Sequence, residues 1–389
     1  MSGEKIYEGI FAVHKPQGVT SADVIRKLQH HFNPSDLFRP WLESERARRS
    51  SEHDFQRRRR RTQRLDVKIG HGGTLDPLAT GVLVTAVGKG TKRLIDFLEC
   101  TKTYETVVTF GAETDTYDVL GKIVRRGPHE HITRDVVEQA LEQFRGKIMQ
   151  RPPIFSALKV KGKKLYEYAR EGKAPPIEIK SRPVEVTDLR ILEWYEPGTH
   201  EYKLPEVEAT AEEKAFAEKL LEKDDSLPIA PVAEEGDASA SSKRKSPPPV
   251  DTPKDEESTA KKQKVSAEDD AALAPSEETE APKFEEKTPT ETQPDHSAQP
   301  QPQPPAVKIT MTVSSGFYVR SLAHDIGKAI GSCGFMSALV RSRQADFELG
   351  PDKILEYKDL DAGEEVWGPK VQKFLDEWET KKAAEQPSD

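Results

Sequence analysis

Apolar residues in this chain recur with two periods, and the changeovers mark where its elements begin and end. Val24, Ile25 and Leu28 fall on one helical face, and Thr20 with Asp23 three residues later predicts a capping box. From Tyr104 to Phe110 apolar and polar positions alternate, as they do through Val307, Ile309, Met311 and Val313; both stretches predict half-buried strands. Val136, Val137, Ala140, Leu141 and Phe144 return to the helical period, with Gly146 placed to end it. Leu322, Ala323 and Ile326 predict another helix just after Arg320, and residues 207–223, rich in Glu, Ala, Lys and Leu, a short one. Strand and helix signals alternate irregularly, without the βαβ rhythm of a parallel doubly wound sheet. The fold class this implies is α+β.

Composition then divides the chain. At 35% hydrophobic and 32% charged residues it is too polar to be folded throughout. The deficit sits in residues 231–305, which hold 17 acidic and 9 basic residues and almost no aromatics. That window carries a net −8, as does the whole chain, so the remainder sums to about zero and an RNA-binding surface is not excluded. The expected organisation is one folded domain in two parts, 1–199 and 306–365. Between them lies a mostly disordered acidic insertion, 200–305, and after them a charged C-terminal tail, 366–389. Loop-closure cost grows only logarithmically with length, so such an insertion is tolerable. A second insertion, 34–66, is basic: nine arginines lie between 46 and 64, five of them consecutive at Arg57–Arg61.

Two cysteines, Cys100 and Cys333, make neither a disulfide framework nor a Cys-based zinc site, which agrees with a reducing compartment. No run of about 18 apolar residues predicts a membrane span. The N-terminus has no signal-peptide apolar core. Ser242-Lys-Arg-Lys-Ser and Lys261-Lys-Gln-Lys, inside the acidic insertion, are spaced like a bipartite nuclear-import signal.

The segment with most chemistry is Gly70-His-Gly-Gly-Thr-Leu-Asp76-Pro-Leu-Ala-Thr-Gly-Val-Leu. It sets one carboxylate between a Gly-rich approach and a proline that restricts Asp76 to extended backbone. The apolar run Val82–Val87 anchors it to the core. His71 lacks the companions zinc would need, so no metal site is expected. Val87-Gly-Lys-Gly-Thr has Leu83 where a Walker loop requires its first glycine, so no nucleotide site is expected either.

This segment closely resembles the catalytic loop of the TruB family of tRNA pseudouridine synthases. Four further blocks extend the resemblance, in order: Phe11-Ala-Val-His-Lys-Pro-Gln-Gly-Val-Thr-Ser, Lys102-Thr-Tyr104, Pro152-Pro-Ile-Phe-Ser-Ala-Leu-Lys with Gly162-Lys-Lys-Leu-Tyr-Glu-Tyr-Ala-Arg-Glu-Gly, and Ser315-Gly-Phe-Tyr-Val-Arg320. The resemblance is to the eukaryotic, fungal-like branch that acts on uridine 55. It implies the pseudouridine-synthase fold, a mixed, largely antiparallel sheet with flanking helices and a central cleft. It implies an isomerase needing no cofactor, whose partner is the T stem-loop of tRNA, acting as a monomer without obligate protein partners. It also implies roles: Asp76 as the essential carboxylate, Arg320 as its ion-pair partner, Tyr104 packed on the target base, and His71 beside the flipped nucleotide. Lys15 would meet backbone phosphate or support the active-site loop, Leu339 would line the uracil pocket, and Tyr318 would pack beneath Arg320. Whether Asp76 attacks base or sugar, or abstracts a ribose proton, stays open.

Bacterial and archaeal relatives of this type often carry an appended RNA-binding domain, and the charged tail is too short for one. The Arg-rich insertion is therefore expected to supply part of the RNA grip. Two other readings compete: a guide-dependent ribosomal-RNA pseudouridine synthase of the dyskerin type, and a non-catalytic tRNA-folding chaperone. The import-like clusters predict a nuclear protein, with mitochondrion or cytoplasm as alternatives.

Overall fold

The computed structural model describes residues 4–51, 64–221 and 303–385. The Arg57–Arg61 run, both Lys clusters and most of the acidic insertion lie outside the described residues. The body is built on a ten-stranded mixed sheet. From edge to edge it runs Leu355–Glu356 (β14), Gly9–Lys15 (β1), Thr80–Val87 (β3), Gly334–Gln344 (β12), Lys102–Phe110 (β4), Ala306–Val313 (β11), Arg182–Tyr195 (β10) and Gly146–Gln150 (β7). Ile69–His71 (β2) pairs with β3 and Phe347–Glu348 (β13) with β12. Only the β1–β14 and β3–β12 pairs are parallel. Two hairpins stand apart, Ala112–Thr114 (β5) with Ile123–Arg126 (β6), and Lys159–Val160 (β8) with Lys163–Lys164 (β9). The helices are Ser21–Phe32 (α1), Arg39–Ser50 (α2), Leu94–Glu99 (α3), Arg134–Leu141 (α4), Leu165–Arg170 (α5), Ala211–Leu221 (α6), Val319–Ala329 (α7) and Glu364–Glu385 (α8).

One feature of the pairing creates a cleft. A strand has two edges, and β1 occupies one edge of β3 along its whole length, Gly9 to Lys15 against Val87 to Gly81. The other edge is shared. β2 takes its far end, at Thr85 to Val87, and β12 its near end, at Thr80 and Gly81. The segment from Gly72 to Ala79, which joins β2 to β3, must therefore lie over the fork between β2 and β12.

Sequence patterns account for the elements around this fork. Thr20 and Asp23 form the expected capping box, each side chain accepting from the other's backbone N–H at 3.1 Å, and α1 buries Val24, Leu28 and Phe32. β4 alternates only in its first half. From Thr106 onward every residue is buried, because β4 lies between β12 and β11 and is covered on both faces there. α4 ends at Leu141 and continues as a short 3-10 turn, Glu142–Phe144, so Gly146 opens β7 at φ 79° rather than capping the helix.

Two expected boundaries differ. The stretch from 200 to 221 is not part of a disordered insertion. Its backbone pairs with β6 through Ile123 N–H to Val207 O and Ala209 N–H to Ile123 O, both 2.9 Å, and α6 follows. Nor do residues 366–385 form a charged tail. They are most of α8, whose Trp367, Val371, Phe374 and Leu375 recur at helical spacing and are buried. Trp367 packs on Phe32 with ring centroids 4.9 Å apart, and Phe32 stacks on Phe38 from the basic insertion at 4.4 Å. The many charged residues in this segment masked a narrow apolar stripe that completes the core. Trp367→Ala is accordingly expected to cost about 3–5 kcal/mol, the range for emptying a buried aromatic site. Urea unfolding of the full chain measures it; a loss below 1 kcal/mol would contradict the packing described.

Candidate active site

Five of the eight backbone carbonyls from Gly72 to Ala79 accept a hydrogen bond from a buried side chain or a distant backbone amide. Gly72 O accepts from Gln344 Nε2 at 2.5 Å, and Gly73 O from Arg341 Nη2 at 3.2 Å. Ser21 Oγ donates to Leu75 O at 3.1 Å and accepts from Leu75 N–H at 2.9 Å. Asp76 O accepts from Ala79 N–H, closing a turn at 3.1 Å. Gly18 N–H donates to Pro77 O at 2.8 Å, and Lys15 Nζ donates to Ala79 O at 2.5 Å. A non-repetitive segment in a buried setting must find such partners elsewhere. Here they come from α1, β1 and β12. Gly81, at φ 106°, allows the close approach: a Cβ there would lie 2.3 Å from Arg341 O.

The loop presents one carboxylate. Asp76 Oδ2 lies 2.9 Å from Arg320 Nε and Oδ1 3.4 Å from Nη2. The Arg320 side chain is only 8% exposed, whereas that of Asp76 is 34% exposed, so the pair shows its anion outward. Arg320 also donates to Thr116 O at 3.0 Å and Phe155 O at 2.8 Å. These acceptors make the first turn of α7 a tolerable place for a cation, which the helix dipole disfavours. That turn is clamped by Gln150, whose amide bonds both backbone atoms of Tyr318, at 2.8 and 3.0 Å.

A second carboxylate faces the same guanidinium. Asp118 Oδ2 is 3.8 Å from Arg320 Nη1, and burial raises its pKa, opposed by the charge of Arg320. Asp118 and the Thr116 carbonyl belong to one tight turn, with Tyr117 at φ 62°. The Tyr117 ring stacks on His324 from α7 at 4.2 Å, which fixes that turn against the helix carrying Arg320.

The remaining expected residues divide. Lys102 reaches the loop from β4, with its Cε 3.9 Å from where a Cβ on Gly73 would be. Tyr104, two residues on, shares its face of the sheet. Register sets Tyr104 beside Arg341, and Leu339, two residues before Arg341, lies on that same face. So Tyr104 and Leu339 both floor the loop, each almost fully buried in the core. His71 ends β2 at the loop's entrance. Burial and the Arg341 charge lower its pKa, and its Nδ1 is buried without a hydrogen-bond partner among the described residues. Lys15 is not placed to meet phosphate. It is fully buried, with Nζ donating to Pro16 O, Pro77 O and Ala79 O, so the loop-supporting alternative is the one observed. The Tyr318 ring lies under the Arg182 guanidinium, 5.1 Å away, and its backbone rather than its ring serves Arg320.

Sequence reasoning missed Arg341, Gln344, Ser21, Gln150 and Asp118. Four of them act on backbone atoms, which motif spacing does not reveal. Asp118 had a visible signal in the polar run Asp115-Thr-Tyr-Asp118 just after a strand.

Residues 58–212 match the family described as TruB family pseudouridylate synthase, N-terminal domain. The chain is 38% identical over 358 residues to tRNA pseudouridine synthase 4 of Schizosaccharomyces pombe, covering 91% of this chain and 83% of that one. It is 33% identical over 382 residues to tRNA pseudouridine synthase 4 of Saccharomyces cerevisiae, covering 96% and 86%. tRNA pseudouridine synthase B of Acaryochloris marina is 40% identical over 186 residues, about half of each chain. The large mixed sheet with flanking helices is the fold of a pseudouridine synthase. The chain belongs to the TruB family.

Two predictions follow from this geometry. Arg320→Lys supplies one ammonium where a planar fork meets a carboxylate and two carbonyls. It is expected to lower kcat at least about tenfold and to cost about 1–3 kcal/mol through acceptors left unpaired. Steady-state kinetics and thermal unfolding check both parts. The other prediction concerns Lys15, whose pKa burial lowers to about 8 from 10.5. The unfolded chain then holds this proton more tightly, so between about pH 8 and pH 10.5 this group makes stability rise with pH. In Lys15→Met that rise should be missing relative to wild type. Urea midpoints at pH 7.5 and pH 10 give the difference, and parallel profiles would refute it.

Proposed function

We propose that this protein isomerises uridine 55 in the T loop of tRNA to pseudouridine, as a monomer acting on free tRNA without a guide RNA. The observation carrying the reading is the Asp76–Arg320 pair, a partly exposed carboxylate 2.9 Å from a buried guanidinium. The reaction breaks the bond from uracil N1 to ribose C1′ and forms one from C5 to C1′. The C5 proton leaves and N1 gains one, so the product is an isomer and nothing is oxidised, reduced or consumed. What the protein must supply is access to the base and a reactive anion that stays charged. A base inside a helix is out of reach, so the nucleotide must be turned out of its stack. His71 stands at the loop's entrance, two residues before Gly73. Arg320 fixes the position of the Asp76 carboxylate through its Nε and Nη2 contacts at 2.9 and 3.4 Å. Asp76 then acts on base or sugar.

The names of the two fungal relatives, which this chain matches over most of its length, support tRNA as substrate. Asp76→Asn tests the reading. The change keeps the shape, and Arg320 retains the Thr116 and Phe155 carbonyls and Asp118, so the fold should persist. Pseudouridine formation by the purified chain on an unmodified T stem-loop transcript should fall at least about a thousandfold. RNA affinity should stay within severalfold. Wild-type protein that needs a guide RNA would favour the dyskerin-type reading, and an Asn variant as active as wild type would remove Asp76 from the chemistry.

A further inference from the structure

A second concentration of charge lies away from Asp76. A cleft of about 950 Å3 opens where β2 meets the far end of β3. One wall is α2, which belongs to the basic insertion; the other is the 3-10 turn Gly88–Arg93 that follows β3. Six basic side chains line it: Arg48, Arg49, Arg64, Lys68, Lys89 and Lys92. Three acids oppose them, and each is engaged in building the walls. Glu8 accepts from Trp41 Nε1 at 2.8 Å and from the Lys89 amide at 3.2 Å, tying α2 to the turn. Glu45 pairs with Arg48 at 2.6 Å and Arg49 at 3.0 Å, and their hydrogen bonds lower its pKa. Asp66 accepts from Asn33 at 2.8 Å and pairs with Arg64 at 3.0 Å. Lys89 Nζ also pairs with Glu8 at 3.2 Å, so the three acids offset half of the six cations and the cleft keeps a net charge of +3 in a chain whose net charge is −8. Lys68 and Lys92 are exposed at the rim.

Position relates this cleft to the active site. Its floor includes Ile69, and His71 lies two residues along the same strand, about 7 Å further on at the usual rise. Gly88 follows Val87, seven residues along β3 from Thr80, so the turn stands roughly 23 Å from the start of that strand beside Asp76. A rigid, cationic groove that begins beside the loop's entrance and leads away from it matches a polyanion running outward from the reacting nucleotide.

We propose that this cleft binds the phosphate backbone of the RNA substrate, on the helical arm beyond the nucleotide that reaches Asp76. The proposal rests on the reading that RNA is the substrate. Lys68→Glu/Lys92→Glu in the full chain tests it, since both side chains are exposed and neither belongs to the catalytic loop. KM for full-length tRNA should rise at least tenfold, with kcat at saturating RNA within twofold of wild type and an unchanged melting temperature. The logarithmic salt slope of tRNA binding should fall by roughly 1.4 to 1.8 for two lost phosphate contacts. The rise in KM should be smaller on an isolated T stem-loop, which supplies less helix to the groove. An unchanged KM and slope on tRNA would overturn the proposal, as would a loss confined to kcat. Wild-type protein that binds tRNA but makes no pseudouridine, with the slope still reduced in the variant, would fell the catalytic reading and leave the cleft standing.

Discussion

The Asp76–Arg320 ion pair joins residues 244 positions apart, and the rest of the fold can be understood as what it takes to hold them 2.9 Å from each other. A buried guanidinium left without its carboxylate partner would be costly. Together they are stable only if both backbones are fixed, because a pair of this kind depends on geometry more than on charge. On one side the loop lies over the fork in β3. On the other, α7 begins where Gln150 clamps Tyr318. Neither support touches the reacting groups, yet the position of each reacting group depends on one of them.

Holding the loop this way carries its own cost. Its carbonyls are met by Lys15 and Arg341, so the protein has buried two further cations near one exposed anion. Burial lowers the pKa of Lys15 to about 8 and that of His71 as well, and Arg341 contributes in both cases. Burial and the Arg341 charge thus favour a neutral His71. Electrostatic support and mechanical support of the loop are therefore the same side chains.

How much of this was legible in the sequence follows from what kind of contact each residue makes. Asp76, Arg320 and Tyr104 stood out because the resemblance rests on side chains of fixed type at fixed spacing. The α+β class and the strands at 102–110 and 306–313 followed from periodicity alone. Residues that hold backbone atoms were invisible, since Ser21, Gln150, Gln344 and Arg341 each sit in a segment whose pattern they do not disturb. Lys15 was seen, but its role depended on burial, which spacing does not reveal. α8 was lost for the opposite reason: Trp367, Val371, Phe374 and Leu375 form a stripe too narrow to lift a charged segment above the composition of a tail.

The acidic insertion raises a question that the sheet answers. Strands β10 and β11 are hairpin neighbours, yet the chain between Tyr195 and Ala306 spans about 110 residues. Closing a path of that length costs only about 2 kcal/mol more than closing a ten-residue loop. The register from Val186↔Val313 to Tyr195↔Ala306 opposes that cost with a long antiparallel ladder. At its end His200 meets Pro304 O at 2.9 Å, and Gln303 donates to Tyr202 O at 2.7 Å, so the outgoing and returning segments are tied beside the last ladder pair. Arg320 enters the fold 14 residues after Ala306, downstream of this tie. Its distance to Asp76 is therefore set by the β10–β11 ladder and α7 rather than by the length of chain between Tyr195 and Ala306.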